Sequence, residues 1–147
     1  MANLKSNLKS KNLHFLYLAF EQAKINLGST KSNPSVGCIV EKDGAVISSA
    51  CTSLNGRPHA EFNALNKKKD FKNSNIYTTL EPCSHYGHTP PCTNIIIKKK
   101  VKKVYFSVHD SDKRSGKKSK NILKKNSILT QGPLLEKKGL DFYKSYY

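Results

Sequence analysis

The chain lacks any hydrophobic run long enough to cross a membrane. The apolar run near its N-terminus, Leu13 to Phe20, is about half the length that a transmembrane helix requires. The ten residues at the start are polar and contain neither the apolar centre nor the cleavage site of a signal peptide. These absences predict a cytoplasmic protein with no membrane partner. In that compartment, four cysteines are expected to be metal ligands or catalytic groups rather than disulfide partners.

Arginine and acidic residues are scarce. The 26 cationic residues include two arginines, Arg57 and Arg114, against ten acidic residues, and the formal net charge is +16. Such a charge invites a nucleic-acid partner, but proteins that read bases or clamp phosphates depend on Arg more than on Lys. Asn is also abundant, and AT-rich codons favour both Lys and Asn. We therefore interpret the lysine excess as compositional, with attraction of anionic substrates or nucleic acid as the alternative.

Internal repeats, linker-like segments and glycine-rich phosphate loops are also missing from the 147 residues. Residues 1–12, rich in Lys, Asn and Ser, are expected to form a disordered lead-in to one domain over residues 13–147. Apolar residues spaced three and four apart predict a helix over residues 13–27, which Gly28 ends.

Short apolar or β-branched runs bounded by turn residues predict five strands. They are expected at residues 36–40, 45–50, 76–80, 103–108 and 127–130. Further helices are predicted at residues 59–67, 91–97, 119–125 and from Pro133 toward Tyr147. Strands that alternate with helices after an opening hairpin imply an α/β fold with one mixed sheet and helices on both faces.

Two short segments contain the residues that could bind a metal ion or take part in catalysis. The first includes His59 and Glu61, and the second includes Cys83 and Cys92. One imidazole and two thiolates are the protein ligands of an open zinc site, which keeps its fourth position for water. We therefore predict that His59, Cys83 and Cys92 bind Zn²⁺. Glu61, two residues beyond the histidine, is expected to transfer protons rather than to bind metal.

Prolines next to these residues predict their local structure. Pro58 and Pro91 are expected to open two helices, which places His59 and Cys92 in first turns whose dipoles favour thiolate over thiol. His85 is an alternative fourth ligand, and it would close the site against water. A purely structural zinc site would require four protein ligands of this kind.

The two segments resemble a known family. His-x-Glu followed by Pro-Cys is similar to the signature of zinc nucleobase deaminases, although here eight residues separate the two cysteines. This longer loop, residues 82–92, resembles the deaminase domain of the bifunctional riboflavin-biosynthesis deaminase/reductase, as do residues 32–37 and 56–61. The resemblance covers residues 13–147. It implies a three-layer α/β/α cytidine deaminase-like fold with a five-stranded sheet.

The resemblance also implies an activity and substrate contacts. The reaction would be hydrolytic deamination of 2,5-diamino-6-ribosylamino-4(3H)-pyrimidinone 5′-phosphate, an early riboflavin step that releases ammonia. Asn33 and His85 fall where the family contacts substrate. Family members commonly have His in place of Thr52 and Lys or Arg in place of His88, and the loop at residues 110–118 also departs from their pattern. We retain Thr52 and His88 as substrate-binding candidates, with His88 expected to face the 5′-phosphate.

The family's reductase domain would begin where this chain ends, so we expect deamination and not reduction from these residues, and a separate reductase as a partner is left open. A homo-oligomer is left open. The nearest alternative is a deaminase of nucleic acid, such as a tRNA adenosine deaminase. The net charge favours that alternative, whereas the cysteine spacing and the lack of a clear aromatic stacking platform oppose it. A non-catalytic zinc-binding module is a further alternative, and Glu61 opposes it because a structural site needs no proton carrier.

Overall fold

A mixed five-stranded sheet organises the protein. The computed structural model describes the backbone of residues 2–144 and the side chains of residues 9–144. The strands are β1 (Gly37–Lys42), β2 (Ala45–Cys51), β3 (Asn75–Leu80), β4 (Lys103–Val108) and β5 (Leu129–Gln131). They lie in the order β2-β1-β3-β4-β5, in which β1 is antiparallel to both neighbours while β3, β4 and β5 are parallel. The predicted α/β class with one mixed sheet is confirmed.

Five α-helices surround this sheet in the described part of the chain. They are α1 (Ala2–Lys24), α2 (Ala60–Leu65), α3 (Cys92–Lys98), α4 (Ser119–Lys125) and α5 (Glu136–Phe142). Within this part, none of the helices combines the length and the apolar character that crossing a bilayer requires.

The alternation of side chains along the central strands creates two separate cores. Because successive residues of a strand point to opposite faces, each strand supplies both cores. The first core joins β1, β3 and β4 to α2, α3 and α4, and it includes Val40, Ile76, Val104, Ala64, Ile96 and Leu123. The second joins the same strands to α1, and it includes Ile39, Tyr77, Tyr105, Leu16 and Phe20. Helices therefore cover both faces of the sheet, which gives the three layers.

The N-terminal region differs from its prediction. Helix α1 begins at Ala2, so residues 2–12 are helical where the sequence predicts an irregular lead-in. Lys, Asn and Ser are weaker helix formers than Ala, but no glycine or proline precedes Gly28 to break the helix. The Tyr77 hydroxyl donates to Asn12 Oδ1 at 2.9 Å, which ties this part of α1 to the sheet.

The C-terminal boundaries also differ. Strand β5 begins at Leu129 rather than at residue 127, and α5 ends at Phe142. The sequence predicts that this helix runs toward Tyr147, and residues 145–147 lie outside the described residues.

Close packing of α1 on β1 positions the segment that connects them. A Cβ atom at Gly37 would lie 1.7 Å from the Ala19 carbonyl oxygen, so the helix backbone approaches the strand where there is no side chain. Ser35 Oγ donates to the Ala23 carbonyl at 2.6 Å in the same contact. These contacts hold residues 32–36 against one end of the sheet.

Candidate active site

The three predicted metal ligands meet where β3 ends and α2 and α3 begin. His59 is the N-cap of α2, Cys83 lies three residues beyond β3, and Cys92 is the first residue of α3. Each cysteine Sγ lies 3.6 Å from His59 Nδ1. The ligand atoms of the three residues all lie within 4.8 Å of one another. Helix starts carry both His59 and Cys92, as the prolines predict.

This spacing fits one zinc ion. Zinc–sulfur and zinc–nitrogen bonds of about 2.3 and 2.1 Å, at a tetrahedral angle, place sulfur and nitrogen about 3.6 Å apart. The same separation is found between each cysteine and His59. Two thiols and one imidazole are also the donors that zinc prefers. Among the described residues, the cluster of potential ligands comprises these three side chains and does not include His85.

The pKa values of the two thiols are shifted in opposite directions. The pKa of Cys83 is lowered to about 4, chiefly because Cys92 and His59 donate hydrogen bonds to its sulfur, and burial partly opposes this effect. The backbone N–H of Cys92 also donates to Cys83 Sγ at 3.2 Å. The pKa of Cys92 is raised, first by its hydrogen bond to Cys83 and then by burial. The two sulfurs by themselves therefore share one negative charge, and a metal ion displaces the remaining proton when it binds.

Glu61 lies beside this cluster and is 4% exposed. Burial raises the pKa of Glu61 to about 7, the negative charge of Cys83 adds to the effect, and His59 opposes it. A carboxyl group with a pKa near neutrality can both accept and release a proton at working pH. These properties suit the proton-transfer role that the sequence predicts for Glu61.

A cleft of about 420 Å³ opens over the cluster. Its wall includes the predicted site residues Asn33, Thr52, His59, Glu61, Cys83 and His85. The structure brings these six predicted residues together. His88 is exposed, in the loop of residues 86–90, and does not belong to the wall of this cleft, so its contact with the phosphate stays a prediction.

The segment that contains Asn33 is held by hydrogen bonds. Thr52 is 1% exposed, and its hydroxyl accepts the N–H of Val36 at 2.9 Å and donates to the Pro34 carbonyl at 3.4 Å. Asn33 Nδ2 donates to the Gly56 carbonyl at 2.9 Å. Gly56 has φ of +96°, and a Cβ there would lie 2.6 Å from a backbone oxygen, so glycine is required. The hydroxyl of Thr52 thus stabilises the backbone of residues 34–36 in this wall.

His85 is oriented by a serine from a distant loop. Its Nδ1 hydrogen-bonds the hydroxyl of Ser115, which also accepts the N–H of Ser84 at 2.9 Å. Ser115 is fully buried. Sequence analysis missed Ser115 because it lies 30 residues from His85 within a loop that departs from the family pattern.

Glu81 holds the loop that follows β4. Its Oε1 accepts the backbone N–H groups of Asp110 at 3.1 Å and Lys117 at 3.0 Å, and its Oε2 accepts the Ser119 hydroxyl at 2.8 Å. The side chain of Glu81 is completely buried. Sequence analysis did not assign this residue, although an acid directly after the buried strand β3 was a usable signal.

Comparison with known proteins places this site in a family. Residues 9–108 match the family described as cytidine and deoxycytidylate deaminase zinc-binding region. The chain belongs to this family of zinc-binding deaminases. The match confirms the predicted Zn²⁺ cofactor, for which the cluster of one histidine and two cysteines has the right donors.

Similar relatives are named as riboflavin biosynthesis proteins or as pyrimidine deaminases. A diaminohydroxyphosphoribosylamino-pyrimidine deaminase of Buchnera aphidicola is 31% identical over 137 residues, which cover 92% of this chain and 93% of the relative. A riboflavin biosynthesis protein RibD of Actinobacillus pleuropneumoniae is 35% identical over 127 residues, covering 85% of this chain and 34% of the relative. The chain thus spans about a third of such longer proteins.

A solved structure agrees with these matches. RibD of Acinetobacter baumannii superposes with a TM-score of 0.88 at 35% identity, covering 93% of this chain and 39% of that one. The resemblance to riboflavin-pathway deaminases and the three-layer cytidine deaminase-like fold are therefore confirmed.

Proposed function

We propose that this protein deaminates 2,5-diamino-6-ribosylamino-4(3H)-pyrimidinone 5′-phosphate by zinc-dependent hydrolysis and releases ammonia. The observation that carries the proposal is the cluster of His59, Cys83 and Cys92, with ligand atoms within 4.8 Å, in a cleft that buried Glu61 also lines. The names of relatives that this chain covers over nearly their whole length supply the substrate.

His59, Cys83 and Cys92 would hold the zinc ion. Zinc in such a site lowers the pKa of a water molecule and so supplies a nucleophile at neutral pH. Glu61 carries the protons of the reaction. It takes one from the attacking water and passes it to the ring nitrogen next to the amino-bearing carbon. It then takes the second proton from the hydroxyl group now on that carbon and delivers it to the amino group, so that ammonia leaves as the carbonyl forms.

The cleft wall orients the pyrimidine. Asn33 and His85 line the cleft and contact the substrate in this proposal. Thr52 acts on the same wall through its bonds to the backbone of Pro34 and Val36. The domain over residues 13–147 performs the deamination in the cytoplasm.

Ammonia release from a panel of substrates tests the proposal. We expect rapid release from the riboflavin-pathway pyrimidine phosphate and little from cytidine or from tRNA. The zinc-loaded protein and a chelator-treated sample form the matched pair. Faster release from tRNA would favour a nucleic-acid deaminase, and no release from any substrate by the zinc-loaded protein would favour a non-catalytic zinc module.

A further inference from the structure

Both arginines of the chain lie in the cleft wall. The sequence has 24 lysines and two arginines. Arg57 and Arg114 line the cleft over the metal cluster, whereas none of the lysines in the described part of the chain does. A guanidinium group binds phosphate through two parallel hydrogen bonds, which an ammonium group cannot provide. This placement points to recognition of an anionic group on the substrate.

The two arginines differ in their partners. Arg114 donates to both carboxylate oxygens of Asp112 at 2.7–3.2 Å, so its charge is already compensated. Arg57 donates from Nη1 to the Thr89 hydroxyl at 3.0 Å, and among the residues that the structure describes it has no carboxylate partner. Arg57 is therefore the cation of the described wall that remains available to an anionic ligand.

Other charged groups of the wall direct an anion toward Arg57. Four carboxylates also line the cleft: Glu61, Glu81, Asp110 and Asp112. Asp110 and Asp112 lie on the loop after β4, and Asp112 is the partner of Arg114. Arg114 compensates Asp112, whereas Asp110 has no ion-pair partner among the described residues, so a phosphate beside Asp110 would meet like charge and one beside Arg57 would not.

Gly87 leaves space for a ligand beside Arg57. A Cβ atom built at Gly87 would lie 3.8 Å from Arg57 Nη2 and 3.8 Å from His85 Nε2. Two nitrogen atoms from different segments therefore converge over a residue that has no side chain. Nδ1 of His85 is already hydrogen-bonded to the Ser115 hydroxyl, so Nε2 is the ring nitrogen that remains to face this space.

We propose that the substrate phosphate binds in the space over Gly87, between Arg57 Nη2 and His85 Nε2. This inference rests on the proposed function. Thr89 holds the guanidinium group in place through its hydrogen bond to Nη1. Arg57 takes the role that the sequence assigns to His88, and it supplies a permanent charge where a histidine would titrate.

The test compares the pathway pyrimidine 5′-phosphate with the same compound without its phosphate. The quantity measured is phosphate preference, the ratio of the two kcat/KM values. Arg57→Gln should lower this ratio by about 10- to 100-fold, as expected for the loss of hydrogen bonds to a charged group. Gly87→Ala should lower the phosphate preference as well, because its methyl group would occupy the phosphate space. The fold should tolerate this methyl group, since its distance of 3.8 Å from Arg57 Nη2 and from His85 Nε2 is an ordinary van der Waals contact. Zinc content is measured in both variants, and His88→Ala is the control.

The outcomes separate this inference from the proposed function. An unchanged phosphate preference in Arg57→Gln, or a drop in His88→Ala instead, would overturn the inference while deamination itself stands. If the wild-type protein deaminates neither compound, the proposed function fails. Calorimetric binding of inorganic phosphate then decides the inference. Binding that is lost in Arg57→Gln and kept in His88→Ala supports it, and equal binding in all three proteins overturns it.

Discussion

The metal cluster and the outer wall of the cleft are built in different ways. His59 and Cys92 sit at the starts of helices, and Glu61 belongs to a helix packed in the core. The outer wall consists of loops, including the loop around Gly87 and residues 110–114, which hydrogen bonds hold in place. Helices anchored in a core keep their ends in fixed positions, whereas loops vary more easily. We therefore expect the chemistry to depend on the rigid part, the helix-borne cluster, and substrate selection to depend on the adaptable part, the loops of the outer wall.

Removing a ligand should break the rigid part. Cys83→Ser should reduce zinc from about one ion per chain to nearly none and abolish ammonia release, because serine is a much poorer zinc ligand than a thiolate. Elemental analysis and activity measure both effects. Cys51→Ser is the control, since Cys51 lies outside the cluster and its thiol accepts a 3.5 Å hydrogen bond from Asn26. Full zinc content in Cys83→Ser would show that the metal is held elsewhere.

Changing the proton carrier should separate chemistry from metal binding within the rigid part. Glu61→Gln should retain zinc and lose about 10²–10⁴-fold in kcat, the range for removal of a general acid–base group. Parallel measurements of zinc content and of kcat test this separation. A near wild-type kcat would exclude Glu61 as the proton carrier.

Loosening the loop after β4 should affect the adaptable part alone. Glu81→Gln replaces a carboxylate oxygen that accepts hydrogen bonds by a donor, and a buried mismatch of this kind costs about 1–3 kcal/mol. We expect a lower free energy of unfolding in urea, faster hydrogen exchange at the Lys117 amide, a higher KM and normal zinc content. Glu21→Gln, at an exposed ion pair of α1, is the control. Zinc loss in Glu81→Gln would mean that the two parts are not separable.

The lysines outside the cleft should contribute least. If their excess is compositional, tRNA binds weakly and its affinity falls steeply as salt concentration rises. Binding isotherms over a salt series give the slope. A sub-micromolar, sequence-selective complex at physiological salt would instead give the surface charge a function.

The sequence predicts the rigid part well because its signals are local. A proline before His59 and a proline pair before Cys92 predict helix starts, and the ligand types themselves predict zinc. Short apolar or β-branched runs likewise predict the five strands, and the differences, such as the later start of β5, lie at element boundaries. The extension of α1 to Ala2 was missed because weak helix formers look irregular when no breaking residue marks a boundary.

The adaptable part is harder to predict because its contacts join distant residues. Ser115 orients His85 across 30 residues, and Glu81 holds the backbone of Lys117 across 36. No local pattern indicates such pairs. The role of His88 stays a prediction, because its place in a family loop does not indicate whether its side chain reaches the substrate. Arg57 was identifiable in principle, since arginine is rare in a chain this rich in lysine.

The most direct test of the account is a zinc titration of the chelator-treated protein with the pathway pyrimidine phosphate as substrate. The account predicts that ammonia release rises in proportion to added zinc and saturates at about one ion per chain, as expected for an open site with three protein ligands. The Cys83→Ser variant should show no such rise. Ammonia release that is already maximal without zinc, or that never appears at full zinc occupancy, would contradict it.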